Sequence, residues 1–341
     1  MAKKVLSLFL ALSLALTLIA CGKQEDTSNV DSDIDGTASE DTIVLQFSDC
    51  HSPTATNHLA MQKIAEEVKA QTNGRIEIEI YPSSQLGDVQ ASMEAMQMGT
   101  LDMGVCNMAV IGSIVPEFGV LGAPFMFETD DQVANALNGE LGEKLGDLVK
   151  EHGISVACYL PTGFRHVFSS KDIQSIDDFA GVKIRVMENP IDIALFKSLG
   201  AIPTPMAYSE VFTAMQQNAV DGAENALSNI VSDGFMEVVK SVTLSGHTYN
   251  VCPILISNTA IEKIPEDLRD TFFQACRDGA EKGRQLCMAD NESAIAKLEE
   301  AGIAVYDIDR EALKEATASI YTEYADRIPA DLVELVNAAE R

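Results

Sequence analysis

The spacing of apolar positions changes repeatedly along this chain, between the two-residue period of strands and the longer period of helices. Ile43–Phe47 is a short apolar run and predicts a strand. Over 55–72, Leu59, Ile64, Ala65 and Val68 recur at helical spacing, and Gly74 supplies the stop. Arg75–Tyr81 alternates strictly, with Ile76, Ile78 and Ile80 on one face, and reads as a half-buried strand. A helix over 88–98 stops at Gly99, and Leu101–Cys106 is another buried strand. Two helices cover roughly 130–151, and Ile154–Leu160 returns to strand.

A second unit follows. Phe164–Ser169 and Val182–Val186 predict strands, Ile191–Leu199 a helix closed by Gly200, and Ser209–Gln217 a further helix. Val220–Ala223 is a short strand leading into a helix near 226–233, and Val251–Ser257 is apolar enough to return to a sheet core. Residues 265–300 form one long helical stretch, 303–306 a last strand, and 310–338 helix. Alternation of this kind predicts an α/β protein with parallel strands. No internal repeat is present.

The first residues say where the chain works. Lys3 and Lys4 precede a nearly unbroken apolar run, Val5 to Ile19, too short and too close to the N-terminus to read as a membrane span. Leu18-Ile19-Ala20-Cys21-Gly22 resembles the lipobox of bacterial lipoproteins, where cleavage before the cysteine leaves it to carry the lipid. Residues 1–20 are thus expected to be a lipoprotein signal peptide and 21–41 a flexible acidic tether. The protein is expected outside the cytoplasm, anchored through Cys21 at the outer face of the cell membrane or in the periplasm. Asp31, Asp33, Asp35 and Gly36 mimic the start of a calcium loop, but Thr42 stands where its bidentate Glu belongs.

The formal net charge is −28, and loss of Lys3 and Lys4 with the leader makes it two units more negative. Such a surface repels nucleic acid and anionic head groups, so nucleic acid is not an expected partner. Besides Cys21, the cysteines are Cys50, Cys106, Cys158, Cys252, Cys276 and Cys287, with no CxxC pair and no zinc spacing. GxSxG, GxGxxG, P-loop and HExxH motifs are lacking, and the five histidines are scattered. No cofactor, metal or catalytic set is expected. Asn291-Glu-Ser293 is a glycosylation sequon by pattern only.

Six segments carry a resemblance: Ile80-Tyr-Pro-Ser-Ser-Gln-Leu-Gly87, Gly163-Phe-Arg165, Gly181-Val-Lys-Ile-Arg-Val186, Gly200–Phe212, Gln216–Asn225, and Ser245-Gly-His-Thr-Tyr249. In order and spacing they resemble solute-binding proteins of tripartite ATP-independent periplasmic (TRAP) transporters, the DctP-like family, over about 42–340. The resemblance implies a two-domain α/β fold, like type II periplasmic binding proteins, with an interdomain ligand cleft and a long domain-spanning helix. Carried onto this chain, domain I is 42–161 plus 251–287 and domain II is 162–250 plus 288–341. It also implies a monomer that hands a small carboxylate to the small and large membrane subunits of a permease. A secreted sugar-acid-processing enzyme and a ligand sensor for a membrane receptor are the alternatives.

Arg185 ends strand Val182–Val186 on the face opposite Val182, Ile184 and Val186, where ligand sites of parallel sheets form. On spacing alone a surface ion pair is the simpler account. The resemblance instead assigns it the ligand carboxylate, which a guanidinium holds through two parallel N–H···O bonds. It likewise implies roles for Arg165 and Asn225, against a salt bridge and a helix N-cap respectively, and for Tyr208 in lining the cleft. Gln85, Asn107, Asp49 and His51, at or near strand ends, are candidates to read the distal part of the ligand. Sialic-acid-binding members have acids where this chain has Val89 and Asn107, so a smaller acid is expected: a C4-dicarboxylate, a keto acid or a sugar acid such as a hexuronate.

Overall fold

A computed structural model of the protein describes residues 42–340. The expected leader, Cys21 and the tether lie outside the described residues. The chain opens with β1 (Ile43–Ser48), α1 (Thr56–Gln71), β2 (Ile76–Tyr81), α2 (Val89–Gln97), β3 (Met103–Val105) and α3 (Met108–Ile111). Next come α4 (Asp130–Asn138), α5 (Glu140–Val149), β4 (Ile154–Ser169), β5 (Lys183–Val186), α6 (Pro190–Ser198), β6 (Ile202–Pro205) and α7 (Val211–Gln216). The rest is β7 (Gly222–Ala226), α8 (Leu227–Ser232), β8 (Ser241–Ser257), α9 (Asn258–Lys263), α10 (Glu266–Glu300), β9 (Ala304–Tyr306), α11 (Arg310–Thr317), α12 (Ile320–Glu323) and α13 (Ala330–Ala338).

The strands lie in the order β2-β1-β3-β8-β4-β7-β5-β6, with β9 beside β8. β1 pairs in parallel with β2 and β3, and β5 with β6 and β7. The expectation of parallel strands holds for β9 on β8 and for these two groups. Between them β4 and β8 run antiparallel to each other, β3 is antiparallel to β8, and β7 to β4. Segments expected as separate strands are continuous: β4 joins 154–160 to 164–169, and β8 extends back to Ser241. These two strands carry the sheet from its first half into its second. Pro161 sits inside β4 because the register shifts between Pro161 and Gly163, a bulge that absorbs its missing N–H. Pro203 and Pro205 cap the far edge on β6, where no further strand pairs among the described residues.

The long helix α10 forms as expected and spans both halves. Its first part packs on α1, where a Cβ on Gly279 would stand 2.5 Å from Ile64 Cα and one on Gly283 2.9 Å from the Ala60 carbonyl oxygen. Glycine costs about 0.5–1 kcal/mol inside a helix; here it permits backbone contact. Farther along, Ala294 and Leu298 enter the core of Phe168, Val211, Ile230 and Val242. The stretch 310–338, expected as helical, forms three helices, α11, α12 and α13, and α13 packs on α4 and α5. The six described cysteines are unpaired. Asn291 donates to the Thr162 carbonyl and accepts from Ser228 N, both at 2.8 Å, so its side chain is committed to the fold.

Candidate ligand-binding site

β5 brings Arg185 to the carboxyl end of the β5–β6 pair. Its Nε and Nη2 donate to the carbonyl of Met206, just past β6, at 3.1 and 2.8 Å, and its guanidinium carbon lies 5.9 Å from the centre of the Tyr208 ring. These bonds use two of a guanidinium's five N–H groups. The other three meet no described acceptor, and Arg185 makes no ion pair with a described carboxylate. Only 4% exposed, it lines two adjoining cavities, an outer one bordered by Ser84, Asp88 and Glu188 and an inner one bordered by Arg165, Asn225 and Asn250. Burial lowers its pKa; Glu224 opposes this and the like charge of Arg165 adds to it. A buried cation with unused N–H groups has the chemistry to receive an anion from outside.

Arg165, on β4, is built differently. Its Nε and Nη2 hold the two oxygens of Glu224, Nη2 also reaches the Glu224 carbonyl at 2.8 Å, and Nη1 donates to Asn250 Oδ1 at 2.6 Å and Asn225 Oδ1 at 3.2 Å. All five N–H groups are engaged. β4–β7 pairing places Ala226 opposite Arg165, so Glu224 is its diagonal neighbour. Burial would raise the Glu224 pKa, but Arg165 and His247 hold it at about 2. Arg165 lines the inner cavity, yet the structure gives it the salt bridge that competed with its expected ligand role. Asn225 is not an N-cap, since it lies within β7 and Ala226 precedes α8. Its Oδ1 accepts from Arg165, Ala226 N and Asn229 Nδ2, and its Nδ2 donates to the Tyr208 hydroxyl at 3.3 Å.

The Tyr208 hydroxyl donates to Asp233, and burial together with that carboxylate raises its pKa well above the ordinary value. Ser52 Oγ lies 3.4 Å from Asp233 Oδ1, and Thr56 N donates to Ser232 Oγ at 3.2 Å. These contacts join the start of α1 and the segment before it to the end of α8 and the residue after it. His51 lines the inner cavity, with Nδ1 2.7 Å from Asp49 Oδ1 and Nε2 3.2 Å from Asn57 Nδ2. Asp49 does not line either cavity. Fully buried, it accepts from His51 N, His51 Nδ1 and His58 Nδ1; burial would raise its pKa, but these partners hold it at about 2. Asp49, Cys50 and His51 hold the described ligand atoms that could converge on a metal, within 4.8 Å of one another, but the Asp49 oxygens already serve two histidines. Asn107 lines both cavities; its Oδ1 caps α3 by accepting from Val110 N at 2.9 Å, which leaves its NH2. Gln85 is exposed and lines neither.

Residues 47–327 match the family described as bacterial extracellular solute-binding protein, family 7 (DctP). The chain belongs to this family. A solute-binding protein of Verminephrobacter eiseniae is 34% identical over 83% of this chain and 85% of its own. A TRAP periplasmic solute-binding protein from a Polaromonas species, solved with D-erythronate, superposes with a TM-score of 0.84 at 29% identity, covering 88% of this chain and 99% of its own. One from Sulfurospirillum deleyianum, solved with succinate, gives 0.82 at 31% identity, covering 88% and 100%. Members of this family are extracytoplasmic transport proteins that bind organic acids rather than transform them. Among the described residues, no helix is long and apolar enough to cross a membrane.

In this solute-binding protein the cavity wall also includes residues that the sequence did not single out: Cys50, Ser84, Met187, Asn229, Asn250 and Cys252. Asn229 had a signal, since it lies four residues after Asn225, across the turn into α8. Asn250 had none, because its place depends on β8 pairing with β4 far away in sequence.

Proposed function

We propose that this family member captures a small organic acid anion in the cavity around Arg185, closes on it by hinge motion of the two halves, and delivers it to a membrane permease. The supporting observation is the half-engaged guanidinium of Arg185, buried and without a carboxylate of its own. Closure would follow because a ligand touching Arg185 and Tyr208 on one side and Asn107 on the other makes contacts available only with the halves together. Asn225 acts from behind by fixing Tyr208. The expected domain boundaries, at 161/162, 250/251 and 287/288, belong to this reading, as do the monomeric state and the Cys21 anchor.

A thermal-shift screen against small acids, neutral sugars and amino acids tests the reading. A binder present at one hundred times its Kd stabilises the native state by about 2.7 kcal/mol. Hits are expected among carboxylates only; a neutral sugar as the best hit, or turnover of any hit, would refute it. For the anchor, Cys21→Ala should release the folded protein from the membrane fraction.

A further inference from the structure

Deepening that reading, and resting on it, the polar groups of the cavity identify the class of acid. Among the basic side chains that line it, Arg165 has no unused N–H group and both ring nitrogens of His51 are engaged, so Arg185 is the one cation with donors to offer. A second carboxylate on the ligand would meet no further unused N–H group of a cation, and Asp88 and Glu188 stand on the wall of the outer cavity.

The wall also carries an acceptor without a donor. Asn229, 1% exposed, donates from Nδ2 to Asn225 Oδ1 at 3.1 Å, while its Oδ1 accepts from no described group. The orientation of this amide is fixed by its neighbour. Asn225 must present oxygen, since the same atom accepts from Arg165 Nη1 and Ala226 N, so Asn229 must present nitrogen to it and keep its oxygen free. A buried acceptor left unpaired is costly, and the group that satisfies it must carry an O–H or N–H. Ser84 Oγ, on the outer cavity, is likewise without a partner. Ser84 is held there with φ at 56°, a conformation that non-glycine residues adopt rarely. At neutral pH neither a dicarboxylate nor a simple keto acid has a proton to donate.

We propose that the ligand is a hydroxylated monocarboxylate of the sugar-acid class, with its carboxylate on Arg185 and a hydroxyl donating to Asn229 Oδ1. Calorimetry on the wild-type protein with D-erythronate, succinate and 2-oxobutanoate compares three four-carbon acids, and D-galactonate with galactarate isolates the second carboxylate at six carbons. The better of the two hydroxylated monocarboxylates should bind at least about 50-fold tighter than succinate and 2-oxobutanoate, and galactonate tighter than galactarate. Asn229→Leu should cut affinity for the better acid by about tenfold or more. Succinate, 2-oxobutanoate or galactarate binding as tightly as the monocarboxylate counterparts would overturn this inference while leaving the carboxylate reading intact. Binding of none of the five acids would overturn both. The wild-type panel decides even where Asn229→Leu fails to fold.

Discussion

Arg165 and Arg185 are both buried beside one cavity, both belong to motifs of the same family, and they do different things. Arg165 is closed on every side by Glu224, Asn225 and Asn250, so its charge is neutralised within the fold. Arg185 is tied only to a carbonyl, which fixes its position without neutralising it. Burial alone does not tell a binding group from a scaffold group. What separates them is how many hydrogen bonds each still has to make. The closed pair also serves the open one: Arg165 holds Asn225, Asn225 holds Tyr208, and Tyr208 lies against the Arg185 guanidinium.

The comparison breaks if the two arginines respond alike to truncation. Arg165→Ala leaves Glu224 buried without its partner, and removing one member of such a pair costs about 3–5 kcal/mol of stability. Arg185→Ala should change stability by about 1 kcal/mol, since it loses bonds to one carbonyl and relieves the repulsion from Arg165. For ligand the order reverses: Arg185→Ala should weaken binding by about 2–5 kcal/mol, or roughly 30- to several thousand-fold. Arg185→Lys should recover part of this, because an ammonium lacks the two-point geometry. Urea unfolding and calorimetry on the three variants read both axes. Equal losses of stability, or Arg185→Ala affinity within about threefold of wild type, would erase the distinction.

A pH-dependent effect concerns Asp192 on α6, which feels both arginines. Its Oδ2 has no hydrogen-bond partner, and burial, with Glu224 adding, raises its pKa to about 8 against the pull of Arg165 and Arg185. The folded state therefore keeps a proton that the unfolded chain gives up near 4. The stability this provides is complete below the unfolded pKa and is lost as pH rises through the folded one, at about 1.4 kcal/mol per pH unit in between. Asp192→Asn should remove that slope between pH 5 and 8. His247 and His166, whose pKa values burial lowers, push the other way, and comparison with the variant subtracts them. Urea midpoints with parallel pH dependence in the two proteins would mean that Asp192 is ionised in the fold.

Much of this was legible in the sequence where one face of an element meets one environment. Strict alternation marked β2, and the helical period marked α1 and α10. The crossing strands were legible only in their apolar pieces, because Ser245, His247, Thr248 and Asn250 of β8 are polar and nonetheless buried. Ser245 and His247 meet within the strand, Asn250 is met by Thr162 and Arg165 across the sheet, and hydrophobicity carries no trace of either. The same holds for the site. Arg185 was visible from its strand end and motif, whereas the closure of Arg165 by Glu224 and the free oxygen of Asn229 depend on pairings between distant segments. A motif names the residue type; only the neighbours say how many of its bonds remain.

Gln85 gives the weakest and most discriminating case. It shares a motif with Ser84, and strand-end logic made it a candidate to touch the ligand. Ser83 and Ser84 both adopt positive φ, near 56°, and this turn brings Ser84 to the cavity wall while Gln85 stays exposed. An exposed side chain outside the cavity contributes within about 0.5 kcal/mol, so Gln85→Ala should leave affinity for the best acid within about twofold. Asn107→Ala, which removes a cavity-facing amide and the α3 cap together, should cost more in the same calorimetric titration. A larger loss from Gln85→Ala than from Asn107→Ala would show that the Ser83–Gln85 turn rearranges to meet the ligand, and the first half of the cavity would then have to be redrawn around it.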